Sequence, residues 1–317
     1  MKIVFMGTPQ FAVPSLQALV DAGHEIALVV TQPDKKGNRN KIIPSAVKVR
    51  AEELGLAIAQ PVRIRKDEDF IAELAEIAPD MIVVAAFGQI LPKSVLDIPR
   101  YGCINVHGSL LPDLRGASPM QTSVRLGYKE TGVTIMRMDV GLDTGDMIAK
   151  VRCNIEGKYI DEVSAMLADA GAKLLVETIP TIENGTATYE KQDEALATHC
   201  SMISKADGLT DFTESAEEVV CKMRAYAEWP TLYSYHEGLQ VKFFRGEALS
   251  EEPNDAPGTI AAIGKNDFTI NCGTGRFLVQ ELQLQGKKRM SAGDFMRGHK
   301  LGPGLFAQNA PAGPHLD

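Results

Sequence analysis

The sequence predicts an α/β unit built on a mainly parallel sheet with helices on both faces, Rossmann-like in its order, followed by a small β-barrel. Three observations carry this. The first half alternates short apolar runs with helix-period segments, and a βαβα order yields a parallel sheet covered on both sides. The later part holds short β-prone runs broken by Gly and Pro without helices between them, which suggests a small barrel. A chain of 317 residues also exceeds what one hydrophobic core usually organises, so two domains are expected. The expected boundaries are 1–188 for the first domain, 189–205 for a polar linker without clear periodicity, and 206–317 for the second.

Element by element, apolar runs at 2–6, 25–31, 81–86, 131–136 and 147–155 read as strands. Helical periodicity marks 11–22, 45–54, 67–77 and 161–178. Beyond the linker a helix is expected at 215–226, then strands at 240–245, 258–263, 268–271 and 277–283. In open parallel sheets ligands bind beyond the carboxyl ends of the strands. Gly7-Thr8-Pro9, Phe87-Gly88-Gln89 and His107-Gly108-Ser109 all fall at that edge. Neither a G-x-G-x-x-G after the first strand nor a P-loop is present, so NAD and ATP are not expected.

Hydrophobic residues at 44% and charged residues at 23% are ordinary for a globular chain. The apolar run at 2–6 is too short for a signal peptide, and no run approaches the roughly 18 residues of a membrane span. A cytoplasmic monomer without a membrane partner is expected. The five cysteines, Cys103, Cys153, Cys200, Cys221 and Cys272, are widely spaced with no C-x-x-C, so neither a disulfide framework nor a metal site is expected. Net charge is −8, yet two segments are locally basic. Between 34 and 50, Lys35, Lys36, Arg39, Lys41, Lys48 and Arg50 face Asp34 alone, and Lys287, Lys288, Arg289, Arg297 and Lys300 face only Asp294. Phosphate binding depends on local charge, so these patches suit a polyanion, or are solvated surface.

The chemistry concentrates at Ile104-Asn105-Val106-His107-Gly108-Ser109-Leu110-Leu111-Pro112 and, some thirty residues on, Asp139-Val140-Gly141-Leu142-Asp143-Thr144-Gly145-Asp146. Side chains two apart on a strand share a face, so Asn105 pairs an amide donor with the His107 imidazole. Asp143, between Gly141 and Gly145, can bring a carboxylate to the same spot. A neutral donor, a titratable ring and a carboxylate suffice to move an acyl group onto an amine without covalent catalysis. The same residues also fit a hydrogen-bonded strand end and an Asp-capped turn, so spacing alone does not choose.

The first stretch resembles the N-x-H-x-S-L-L-P signature of the folate-dependent formyltransferases, and Asp143-Thr144-Gly145 resembles their D-x-G element. Val4-Phe5-Met6-Gly7-Thr8-Pro9-Gln10-Phe11-Ala12, Thr31-Gln32-Pro33-Asp34, Glu130-Thr131-Gly132-Val133-Thr134-Ile135-Met136, Ile203-Ser204-Lys205, Trp229-Pro230, Pro257-Gly258-Thr259-Ile260 and Gly286-Lys287-Lys288-Arg289-Met290-Ser291-Ala292 narrow the match to the branch acting on charged initiator tRNA. The resemblance implies 10-formyltetrahydrofolate as donor, the α-amine of methionyl initiator tRNA as acceptor, and an oligonucleotide-binding-type barrel. It implies Asn105, His107 and Asp143 as catalytic. The first two would stabilise an oxyanion, and the third would hold the ring and accept the amine proton.

Ser109, Leu110, Leu111 and Pro112 match the family's folate-contacting run, with Phe87, Gly88, Gln89 and Ile90 as a second wall; core packing is the alternative for the leucines. Phe11 is a candidate contact for the methionyl side chain, or a core phenylalanine. Arg39, Lys41, Lys287, Lys288 and Arg289 are the candidate tRNA contacts. Two departures stand out. Many members have Arg where this chain has Asp113, and G-R-G-K-K where it has Gly37-Asn38-Arg39-Asn40-Lys41. A sugar-nucleotide N-formyltransferase shares the two main motifs, and a tRNA-binding module with a vestigial folate fold is the non-enzymatic alternative.

Overall fold

The computed structural model describes residues 1–36, 42–299, 301 and 306. By contact the chain divides into one unit of 1–120, 130–154 and 163–201, and a second of 121–129, 155–162 and the chain from 202 onward.

In order, the elements up to 201 are β1 (Lys2–Gly7), α1 (Val13–Asp21), β2 (Glu25–Val30), β3 (Lys35–Lys36), β4 (Ile42–Ile43), α2 (Ala46–Glu53) and β5 (Ile58–Ala59). There follow α3 (Glu68–Ile77), β6 (Met81–Ala85), α4 (Lys93–Leu96), β7 (Cys103–His107), β8 (Arg115–Gly116) and α5 (Pro119–Arg125). β9 (Glu130–Arg137), β10 (Met147–Asn154), α6 (Ile160–Glu183) and β11 (His199–Cys200) complete the series. The main sheet runs β10-β9-β7-β6-β1-β2-β5. Its five strands from β7 to β5 are parallel, while β9 and β10 return antiparallel, so the sheet is mainly parallel as expected.

Ile3, Val4, Phe5 and Met6 are all fully buried, which is why β1 reads as an unbroken apolar run: both faces of the sheet are covered. Val4, Met6, Val84 and Cys103 share one face with Phe70 and Leu74, one turn apart on α3. Asp67 starts α3 by accepting from Phe70 N–H at 3.1 Å. The opposite face of β7 meets α6 so closely that a Cβ on Gly171 would lie 2.9 Å from Val106 Cγ1. Residues of β7 on the Cys103 face therefore leave the apolar cluster and reach Asn105 and His107 at the strand's carboxyl end.

The stretch expected as a linker joins the first unit as far as 201. Glu190 bridges to Met147, and β11 pairs with β8 in parallel. Among the described residues no helix is long and apolar enough to cross a membrane.

The second unit holds α7 (Ala216–Ala225), β12 (Leu232–His236), β13 (Leu239–Leu249), β14 (Ile260–Ile263), β15 (Phe268–Asn271), β16 (Arg276–Leu284), β17 (Met290–Ser291) and α8 (Ala292–Gly298). Its barrel-like antiparallel sheet runs β12-β13-β16-β15-β14, with β17 added to β16. Phe212, Phe243, Phe268, Phe277, Phe295 and Phe306 fill the core. A capping box starts α7: Ser215 Oγ accepts from Glu218 N–H at 3.2 Å, and Glu218 Oε2 accepts from Ser215 N–H at 2.8 Å. β12 is absent from the sequence expectation. It turns into β13 through Glu237-Gly238, both at positive φ, where a Glu stands in place of the usual Asn or Asp signal. β13 outruns its expected end at 245 because register shifts at Arg245 break the alternation.

Candidate active site

The carboxyl ends of β1, β6 and β7 meet in register, with Gly7 opposite Ala85 and Val84 opposite Asn105. Thr8 ties this edge together. Its hydroxyl donates to Phe87 O at 3.0 Å and accepts from Gln32 N–H at 3.3 Å.

Asn105 and His107 project from one face of β7, at 8% and 5% exposure, so both are buried yet reachable. The Asn105 carboxamide has no hydrogen-bond partner among the described residues. Its amide atoms reach the solvent edge, where its N–H can donate to a bound group. The His107 ring is held at one nitrogen and faces a carboxylate with the other. Nε2 donates to Leu114 O at 3.2 Å, since a carbonyl can only accept, and Nδ1 faces Asp143 Oδ1 at 3.7 Å.

Asp143 sits at φ 53°, a left-handed conformation unusual for a residue with a Cβ. Its Oδ2 accepts from Gly116 N–H at 2.9 Å, while Oδ1 has His107 as its only partner among the described residues. The loop closes on itself, since a Cβ on Gly145 would lie 1.7 Å from Arg137 O. Gln192 Nε2 donates to the carbonyls of Asp143 and Gly145, at 2.7 and 2.8 Å. Arg115, fully buried, donates through Nε to Gln192 Oε1 at 2.9 Å and through its two terminal nitrogens to Glu194. The paired charges reinforce each other: Glu194 raises the Arg115 guanidinium above its ordinary value, and Arg115 lowers the Glu194 carboxyl. Cys103 contributes no nucleophile here, because burial pushes its thiol up to about 12.

The expected pocket residues divide by side chain. Ser109 Oγ donates to Asp113 O at 2.5 Å, and its carbonyl accepts from Thr134 Oγ1, which in turn accepts from Leu111 N–H. Leu110 and Pro112 are half-buried. Leu111 packs with Met136 and Met147 in a small core cluster. Phe87 belongs to the main core, and only its carbonyl faces the loops. Gln89 is committed elsewhere, accepting from Ile64 N–H and donating to Pro61 O. Gly88 lies at φ 83°, beside Gln32. Ile90, by contrast, is 66% exposed at this edge. Phe11 is buried beside Gly108, where a Cβ would lie 3.9 Å from its ring.

Of the candidate tRNA contacts, Arg39 and Lys41 lie outside the described residues. Lys287 and Lys288 are exposed on the turn between β16 and β17, unpaired among the described residues. Arg289 is engaged locally, donating to Glu281 and stacking over Phe244 at 4.3 Å. Sequence reading passed over Thr134, Leu114, Arg115, Gly116 and Gln192. Thr134 lies within the Glu130 to Met136 run and Gly116 four residues past Pro112, but neither carries a site signal of its own.

Residues 1–179 match the family profile described as Formyl transferase, and residues 202–300 match Formyl transferase, C-terminal domain. The chain belongs to the formyl transferase family. Among relatives of the family it is 47% identical over 309 residues to a methionyl-tRNA formyltransferase from Citrifermentans bemidjiense, covering 96% of this chain and 95% of that one. It is 46% identical over 313 residues to the methionyl-tRNA formyltransferase of Lachnospira eligens, covering 96% and 99%. The crystal structure of an N-formyltransferase from Helicobacter canadensis, in complex with folinic acid and dTDP-3-aminofucose, superposes with a TM-score of 0.66 at 18% identity, covering 88% of this chain and 99% of that one. At that identity the likeness is one of formyl transferase fold.

Proposed function

We propose that this formyl transferase moves the formyl group of 10-formyltetrahydrofolate onto the α-amine of methionyl initiator tRNA. The observation that carries the reading is the Asn105 amide, unpaired among the described residues, on the same strand face as His107, whose ring stands 3.7 Å from the Asp143 carboxylate. The relatives that share 46 to 47% of its residues over 96% of the chain are named methionyl-tRNA formyltransferase. The relative that binds an aminosugar nucleotide shares 18%.

Attack of the amine on the formyl carbon forms the new C–N bond and moves the carbonyl electron pair onto oxygen. Asn105 donates to that oxygen without changing its own charge, a contribution whose removal costs about a hundred- to a thousandfold in rate. Asp143 Oδ1 takes the proton that the attacking nitrogen loses and becomes neutral, with His107 Nδ1 standing beside it to share that proton. The proton returns to the folate nitrogen as its bond to the formyl carbon breaks, so no net charge or covalent enzyme species is left. Ile90, Leu110 and Pro112, exposed or half-buried at this edge, would hold the folate ring, and the Lys287 and Lys288 turn would meet phosphates.

The test is to incubate the protein with 10-formyltetrahydrofolate and charged initiator tRNA, with aminosugar nucleotides in parallel. Formylated methionyl-tRNA is the expected product. Formylation of the aminosugar alone would transfer the reading to a sugar-nucleotide enzyme.

A further inference from the structure

Gln192 carries no motif and lies between the two matched family regions. Its amide is nevertheless oriented without ambiguity. A guanidinium only donates, so the Gln192 oxygen must face Arg115 Nε, which turns the NH2 group toward the carbonyls of Asp143 and Gly145. Arg115 is in turn fixed by its bidentate contact with Glu194 at 2.8 and 2.9 Å.

Asp143 needs support of this kind. Its left-handed backbone is unfavourable for a residue with a Cβ, and among the described residues its carboxylate has one hydrogen-bonded anchor, the Gly116 N–H. Gly116 lies in β8, which pairs with β11 just beyond Gln192. In the same segment Thr198 Oγ1 accepts from Leu114 N–H at 2.8 Å, and Leu114 supplies the carbonyl that holds His107. One stretch of chain, from Gln192 to Cys200, thus steadies the loop carrying Asp143 and the segment Leu114 to Gly116, which holds His107 through Leu114 O and Asp143 through Gly116 N–H.

We propose that Gln192, aligned by Arg115, is a positioning residue that holds the Asp143 carboxylate beside His107. The inference rests on the activity proposed above, because proton transfer is what that alignment serves. A displacement of about 1 Å at a reacting group is enough to cost about a hundredfold.

The experiment compares wild type, Gln192→Ala, Gln192→Met and Asp143→Asn in single-turnover formylation of charged initiator tRNA. It adds the Gln192→Ala, Asp143→Asn double variant. Gln192→Ala is expected to lower turnover about ten- to a hundredfold at unchanged KM for both substrates. Gln192→Met, close in volume but without an N–H, should lose as much. In the Asp143→Asn background the Gln192→Ala change should cost nothing further, because both act through one carboxylate. Independently of activity, the ring 15N resonances of His107 should move in Gln192→Ala in the direction they move in Asp143→Asn. Recovery in the Met variant, additive losses in the double variant, or His107 resonances unchanged from wild type would each overturn the proposal. If wild type formylates no tRNA, the proposed activity fails, while the resonance comparison still decides whether Gln192 positions Asp143.

Discussion

Asp143 Oδ1 stands 3.7 Å from His107 Nδ1, just beyond hydrogen-bond range. Each partner is held by another group, His107 by Leu114 O and Asp143 by Gly116 N–H, so the gap belongs to the scaffold and not to a closed pair. An amine approaching beside that pair can reach the carboxylate and the ring together. His107→Ala and Asp143→Ala are each expected to lower turnover at least about a hundredfold while leaving the fold largely intact. Single-turnover assays on folded variants check this, and a near-normal rate would remove that residue from the mechanism.

Asn105→Ala removes an amide donor that has no partner among the described residues, on the same strand face. The expected loss in kcat is about a hundred- to a thousandfold with little change in folate KM, since an oxyanion contact forms only in the transition state. A raised KM at constant kcat would instead make Asn105 a ground-state binding group.

Gly116→Ala tests the scaffold. A Cβ there would lie 2.1 Å from Cys200 O, and φ is 123°, so β8 and β11 must separate to admit it. A loss of about 2 kcal/mol or more is expected, read as an earlier urea transition together with lost activity. Wild-type stability would show that the β8–β11 pairing yields without cost.

Neutralising Lys35, Lys36, Arg39 and Lys41 together should raise KM for tRNA, leave KM for folate constant and flatten the salt dependence, because each lost phosphate contact releases fewer counterions. An unchanged salt slope would assign tRNA binding to the patch around Lys287 and Lys288.

Asp34 accepts from Lys48 at 2.6 Å and from Gln60 at 2.8 Å, which holds its carboxyl below the ordinary 3.8. A depressed folded-state value contributes stability above the unfolded value, and that contribution disappears as pH falls through the folded one. Asp34→Asn should therefore unfold at lower urea than wild type at pH 7, with the gap closing as the medium is acidified below 3.8. An equal gap at both ends of that range would mean that the contact acts without its charge.

Much of this protein was set by local sequence. The apolar run of β1, the Asp67 and Ser215 caps and the alternation in β7 placed strands, helices and the shared face of Asn105 and His107, because those features depend on residues a few positions apart. The two formyl transferase regions were legible from runs spread along the chain for the same reason. Tertiary structure alone decided the rest. Nothing in the sequence brings Gln192 to the Asp143 carbonyl across 49 positions, or gives the Leu114 carbonyl to His107. It also assigned Phe87 and Gln89, which looked like pocket walls, to the core and to the 61–64 loop. Burial and hydrogen-bond satisfaction are settled between segments distant in the chain, so only the folded arrangement shows which polar side chains are spent on the scaffold and which, like Asn105, have no partner among the described residues.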